Sequence, residues 1–188
     1  MKVLIVDNND SFTFNIVDLF RKISSVEIEV RPSQNIIIEE VVEYSHIVFS
    51  PGPGLPDDFP IMRKILEKYG SSKAILGICL GHQAICAYYG SNLKNLNNVM
   101  HGSVSEIIYK RNSLLFKNLQ NVTVGRYHSW IVDNIKSEDI EITATDSEGL
   151  IMGVEHKKWK IYGVQFHPES YITKDGKTIF KNFLYALS

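Results

Sequence analysis

Cys79 stands between two glycines in ILGICLGHQAI, residues 75–85, where an apolar run gives way to a helix-forming stretch. Gly77, Cys79 and Gly81 fall at every second position. That is the spacing of a nucleophile elbow, in which small residues flank a nucleophile on a tight strand-to-helix turn. Small neighbours relieve crowding and leave the middle side chain above the sheet. A cysteine so placed faces the N-terminus of the next helix, whose partial positive charge favours thiolate. The N–H of Leu80, next in the chain, is placed to donate to a developing oxyanion. The structural alternative is a buried thiol, common for free cysteine, and Cys86 inside the same helix fits it.

A thiol nucleophile needs a base. The chain has six histidines, none within five positions of another, so the helical His-x-x-x-His metal motif is missing and no zinc site is expected. His167, in YGVQFHPES, directly follows the strand-like run 161–166, and Pro168 ends regular pairing there. Glu169 can receive the second imidazole N–H and fix the tautomer. Alone, His-Pro-Glu reads as a polar turn after a strand. Combined with the elbow, Cys79, His167 and Glu169 supply a nucleophile, a base and an orienting carboxylate. His82, His101 and His128 are weaker candidates for the base. For His82 the reason is that a positive charge is disfavoured in the first turn of a helix.

A third stretch, FSPGPGLP, closes an apolar run at Ser50 and continues Pro51-Gly52-Pro53-Gly54. Glycines let a backbone approach a ligand closely and prolines stiffen the loop, so it can offer N–H groups to a substrate or oxyanion. It lacks the Gly-Lys-Ser/Thr ending of a phosphate loop. As a bare motif it suits a surface turn equally well.

Something must hold these stretches together. Strand-like runs at 2–6, 26–31, 46–50 and 74–78 alternate with helical patterns at 12–22, 39–44, 60–69 and 82–89. Such alternation predicts βαβ units and a largely parallel sheet covered on both faces. The second half carries closely spaced runs at 104–109, 122–125, 140–145, 150–155 and 161–166, some of them antiparallel, and a closing helix at 178–187. All three motifs lie at strand ends, where open α/β sheets bind ligands. With 188 residues, 44% hydrophobic, and no repeat or long linker, the expectation is one α/β domain over 1–188 with an antiparallel extension.

A net charge of −1 gives no bulk attraction to nucleic acid or anionic membrane. The basic run at 157–160 reads as a solvated hairpin turn. MKVLIVD enters a strand pattern without the layout of a signal peptide. No run reaches the roughly 18 apolar residues of a membrane helix, and two cysteines make a disulfide scaffold implausible. The expected location is cytoplasmic.

In order and spacing, DNNDSFTFN (residues 7–15), SPGPG, GICLGHQ, RYHS and GVQFHPES together resemble the class I glutamine amidotransferases over nearly the whole chain. The nearest branch is the glutaminase subunits of anthranilate synthase, with those of aminodeoxychorismate synthase beside it. The resemblance implies a flavodoxin-like mixed sheet and hydrolysis of L-glutamine through a thioester on Cys79, with His167 as base and Glu169 orienting it. It also implies glutamine contacts from Gly52, Pro53, Gly54, Leu80, Gln83, Ser129 and Trp130, the last two through the backbone. Trp130 stands where the family has leucine, and Tyr127 and His128 shape that loop.

By the same resemblance, residues 7–15 and 100–105 lie near the site mouth and a partner surface. Asp10 or Ser11 also suits a cap for the helix starting near Phe12. Free ammonia is mostly protonated near neutral pH, so the implied partner is a chorismate-binding synthase component I that receives it by a protected path. The Mg²⁺ belongs to that partner, and no cofactor is expected in this subunit. Gly54 favours the anthranilate branch, since cysteine is frequent there in the other. The competing readings are a non-catalytic interaction domain of the same fold and a stand-alone thiol hydrolase. Presence of all three triad candidates argues against the former.

Overall fold

A computed structural model describes residues 1–96 and 100–186. In its first strand, β1 (Lys2–Asp7), Val3 and Ile5 join one core cluster while Leu4 and Val6 join another on the opposite face. This is the two-residue period of a strand, and burial on both faces is the mark of a parallel sheet covered by helices. The chain continues through α1 (Thr13–Ile23), β2 (Glu27–Pro32), β3 (His46–Phe49), α2 (Pro60–Tyr69), β4 (Ala74–Ile78) and α3 (Leu80–Tyr88). Then come β5 (Leu93–Asn95), β6 (Ser103–Glu106), β7 (Ile108–Tyr109), β8 (Thr123–Arg126) and β9 (Trp130–Val132). The last elements are β10 (Ile140–Thr145), β11 (Ile151–His156), β12 (Ile161–Val164) and α4 (Gly176–Tyr185).

Eight strands form the main sheet in the order β2-β1-β3-β4-β12-β11-β10-β7. Pairing is parallel from β2 to β12 and antiparallel from β12 to β7. This is the mixed sheet with an antiparallel extension that the alternation predicts. Two ribbons, β5–β9 and β6–β8, stand apart from it. Helices α1 and α4 cover one face, with the Phe20 and Phe180 rings 4.9 Å apart. Helices α2 and α3 cover the other through Met62, Ile65, Leu80 and Ile85. Residues 157–160 form the expected turn between β11 and β12. His156 pins it: Nδ1 accepts the N–H groups of Lys158 and Trp159 at 3.0 and 2.9 Å, and the ring stacks on Trp159.

Some expectations need correcting. The helix at 39–44 is a 3₁₀ segment, Ile38–Glu43, in which Tyr44 N–H reaches back to Val41 O at 3.2 Å. Six residues with adjacent Val41 and Val42 are too short and too β-branched to propagate an α-helix. The strand at 104–109 breaks at buried Ile107, whose N–H donates to Val122 O at 3.0 Å. The chain leaves the β6–β8 ribbon there and joins the main sheet as β7. Strands β5 and β9 hold three residues each, too few for a period to show. Leu187, the predicted end of the last helix, lies outside the described residues. Among the described residues, no helix is long and apolar enough to cross a membrane.

Candidate active site

Strands β3, β4 and β12 are sheet neighbours, and Gly77 of β4 lies level with Phe49 of β3 and Gly163 of β12. The segments leaving their carboxyl ends therefore converge, although 86 positions separate Cys79 from Gln165.

Cys79 precedes α3 with φ 51° and ψ −101°, a backbone region that costs an L-residue about 1–3 kcal/mol. Its N–H donates to Val164 O at 2.8 Å, which ties the turn to β12. The flanking glycines have a packing cause. A Cβ on Gly81 would sit 2.6 Å from the Phe49 carbonyl oxygen, and one on Gly77 would sit 2.4 Å from the Gly81 backbone. Helix α3 thus starts directly against β3 and β4. Leu80 is its first residue, so the Leu80 N–H has no acceptor within the helix.

His167 is fixed from several sides. Its N–H donates to Gly125 O at 2.9 Å, and Thr173 Oγ1 donates to its carbonyl at 2.6 Å. The ring lies edge-on to Phe12 and Tyr127. Nδ1 donates to Glu169 Oε1 at 2.6 Å, and both side chains are buried. The bond places one imidazole proton on Nδ1, and Nε2 is buried without a well-formed hydrogen bond among the described residues. Burial is the strongest influence on the ring and opposes its charge. Glu169 and Cys79 together outweigh it and hold the imidazole well above its usual proton affinity.

His82 and His128 are poorer bases. Burial, with His128 nearby, lowers the pKa of His82 to about 3. Burial and then Arg126 lower that of His128 to about 4, and its Nε2 already accepts from Arg126 Nε at 3.1 Å. His101 lies at the cleft beside Tyr127.

An open cleft of about 280 Å³ brings the predicted ligand contacts together. The loop after β3 contributes Gly52, Pro53 and Gly54, the elbow and α3 contribute Cys79, Leu80 and Gln83, and the segment after β8 contributes Ser129 and Trp130. Met100, His101, Tyr127 and His128 complete the lining. His167 and Glu169 are not among the lining residues; they lie buried outside it. The β3 loop is clamped to the end of β1: Asn8 N–H donates to Ser50 Oγ and Asn8 Nδ2 to Ser50 O, both at 2.9 Å. Gly52 fits between Asn8 and Leu80, where a Cβ would come within 2.8 Å of both.

Three of the expected ligand contacts are partly occupied. The Ser129 carbonyl accepts Leu96 N–H at 2.7 Å, and the Trp130 carbonyl accepts Gln83 Nε2 at 2.8 Å. Gln83 Nε2 also donates to Gln165 Oε1 at 3.2 Å, so only Gln83 Oε1 remains for a ligand. The expected side-chain cap on α1 is not formed: its N-cap is Phe12, and Asp10 Oδ1 accepts the Phe12 N–H at 2.7 Å in the turn before the helix.

Two residues escaped the sequence reading. Gln165, fully buried, donates from Nε2 to Cys79 Sγ at 3.6 Å. Its one sequence signal is a polar side chain two places before His167, hence on the same side of an extended chain. Arg126, just before the cleft-lining segment, is buried against Asp146 at 2.8 Å.

An elbow cysteine thus stands at the end of β4 over a helix-covered mixed sheet, and a hydrogen-bonded histidine–glutamate pair lies just beyond the end of neighbouring β12. The family description "Glutamine amidotransferase class-I" matches residues 4–187, and the chain belongs to this family. It is 39% identical to the anthranilate synthase component 2 of Cyanophora paradoxa, over 99% of this chain and all of that one. It is 37% identical to the aminodeoxychorismate synthase component 2 of Klebsiella aerogenes, over 97% of this chain and 98% of that one. The fold also matches the crystal structure of a glutamine amidotransferase from Thermotoga maritima, with a TM-score of 0.80, 16% identity, and coverage of 100% of this chain and 97% of that one.

Proposed function

We propose that this chain is the glutaminase subunit of an anthranilate synthase, hydrolysing L-glutamine and delivering ammonia to a chorismate-binding component I. In this reading residues 1–188 form one cytoplasmic glutaminase domain without a cofactor, and Mg²⁺ belongs to the partner's site. The observation that carries it is the meeting of Cys79, His167 and Glu169 at the ends of adjacent strands beside one cleft.

The proposed chemistry uses these groups in turn. Cys79 Sγ attacks the side-chain carbonyl carbon of glutamine, its proton passing to His167 Nε2. The N–H of Leu80 and the 52–54 loop receive the oxyanion. The imidazolium, held by Glu169, protonates the amide nitrogen, the C–N bond breaks and ammonia leaves a γ-glutamyl thioester. Water then attacks as His167 takes its proton, and collapse returns that proton to sulfur and frees glutamate. Glutamine and water are consumed; glutamate and ammonia are formed. Proton transfer by a positioned group contributes about 10²–10⁴-fold.

The second reading is the aminodeoxychorismate branch, which the Klebsiella aerogenes relative supports. Mixing the protein with each chorismate-using subunit, glutamine and chorismate, and identifying the aminated product, separates the two. Anthranilate with one partner alone supports the proposal, aminodeoxychorismate alone overturns it, and both products make this a shared ammonia donor. Cys79→Ser is expected to lose glutamine-dependent synthesis while the complex still uses added ammonium. Loss of both activities points to a structural role instead.

A further inference from the structure

The side-chain amides of Gln83 and Gln165 form a chain with only one possible polarity. The Trp130 carbonyl can only accept, so the Gln83 atom 2.8 Å from it is Nε2. That nitrogen also lies 3.2 Å from the Gln165 amide, which must present its oxygen. Gln165 is left with Nε2 toward Cys79 Sγ, at 3.6 Å. Both glutamines are buried, where an amide facing the wrong way would leave unmatched polar atoms. The backbone at Trp130, on the cleft wall, thereby dictates that sulfur meets a donor and never an acceptor.

We propose that Gln165 is a catalytic residue that donates a hydrogen bond to the Cys79 sulfur, and that the Trp130 carbonyl, acting through Gln83, keeps that donor turned toward it. The inference rests on the reading of Cys79 as nucleophile. A hydrogen bond to an ionised partner is stronger than one between neutral groups, and low local polarity strengthens it further. The bond fixes the sulfur's position and supports its charged form. The relay also makes the nucleophile sensitive to the segment that lines the glutamine cleft.

The test compares wild type with Gln165→Met, which keeps the bulk without the donor, and Gln165→Glu, which sets a carboxylate oxygen against the sulfur. Gln83→Met breaks the relay while leaving Gln165 in place. The main readout is the rate of Cys79 alkylation by iodoacetamide across pH, followed by mass spectrometry, with glutaminase kcat and KM in the complex and the thermal midpoint alongside. Gln165→Met is expected to slow alkylation at pH 7 by about tenfold or more and to move its profile to higher pH, with KM little changed. Gln165→Glu should be slower still and Gln83→Met intermediate.

An unchanged alkylation profile in Gln165→Met and Gln83→Met overturns the proposal. So does a change confined to the thermal midpoint. If either Gln165 variant fails to fold, Gln83→Met decides by the same readout. Glutaminase activity that survives Cys79→Ser would instead overturn the reading of the nucleophile, a result distinct from any change in alkylation.

Discussion

Glu169 Oε1 lies 2.6 Å from His167 Nδ1, and both side chains are shut away from solvent. A carboxylate there keeps the imidazole in one tautomer and supports its positive form. Glu169→Gln retains an acceptor but removes the charge, so kcat should fall about 10- to 100-fold. Glu169→Ala removes both and should fall by about 10²–10⁴. Steady-state glutaminase assays of the complex check the order; equal losses would show that the acceptor adds nothing beyond the charge, and an undiminished kcat in Glu169→Gln would show that the charge is dispensable.

Close approach at the elbow predicts a sharp response to one methyl group. Gly81→Ala places carbon 2.6 Å from the Phe49 carbonyl, which is backbone and has nowhere to move. Helix α3 must shift, at about 1–3 kcal/mol, and Leu80 and Cys79 shift with it. Urea unfolding should show the loss of stability, and alkylation of Cys79 should show the displaced sulfur.

Acid should weaken the fold through three buried histidines. Burial lowers the pKa of His46 to about 4, His82 to about 3 and His128 to about 4. Between pH 6.5 and about 4 the unfolded chain binds protons at these positions and the folded chain does not. Stability is therefore highest above 6.5 and falls as the pH drops. Each histidine adds a little over 1 kcal/mol per pH unit within that window. His167 has the opposite sign: its raised value gives stability present below 6.5 and lost as pH rises through the folded value. Urea titrations from pH 7.5 to 4.5 should show the acid slope, and His46→Gln should flatten it.

Arg126 and Asp146 form a buried pair at 2.8 Å, with side chains 3% and 5% exposed. Asp146 Oδ1 also accepts the N–H groups of Glu148 and Leu150, joining the pair to the turn between β10 and β11. Arg126→Met strands a buried carboxylate and should cost about 3–5 kcal/mol, whereas Arg126→Met with Asp146→Leu should recover part of it. A double-mutant cycle by thermal unfolding measures the coupling. The single variant should also raise KM for glutamine, since His128 loses its donor beside the cleft.

Legibility followed local physics. Helix α2 and strands β4 and β10 appear with the boundaries predicted. Proline at the first helical position and glycine at a crowded turn act within a few residues of themselves. Cys79, His167 and Glu169 were readable for the same reason, each at the end of a strand. What escaped depends on distant chain segments. Ile107 looks like the middle of a strand until Val122 takes its N–H. The adjacency of β3, β4 and β12 comes from strand order, which no local pattern carries. Gln165 gains its meaning only once Gln83 and Trp130 lie beside it.

That strand order has a consequence for how the protein is made. Cys79 leaves the ribosome with β1, β3 and β4, while Gln165 and the histidine just beyond it follow 86 or more positions later. Pairing across such a separation comes late, because a long loop must close before its contacts repay it. On the roles proposed above, Cys79 has neither base nor donor until β12 docks. In that reading a nascent or half-folded chain is chemically quiet, and reactivity arrives with the strand that completes the sheet.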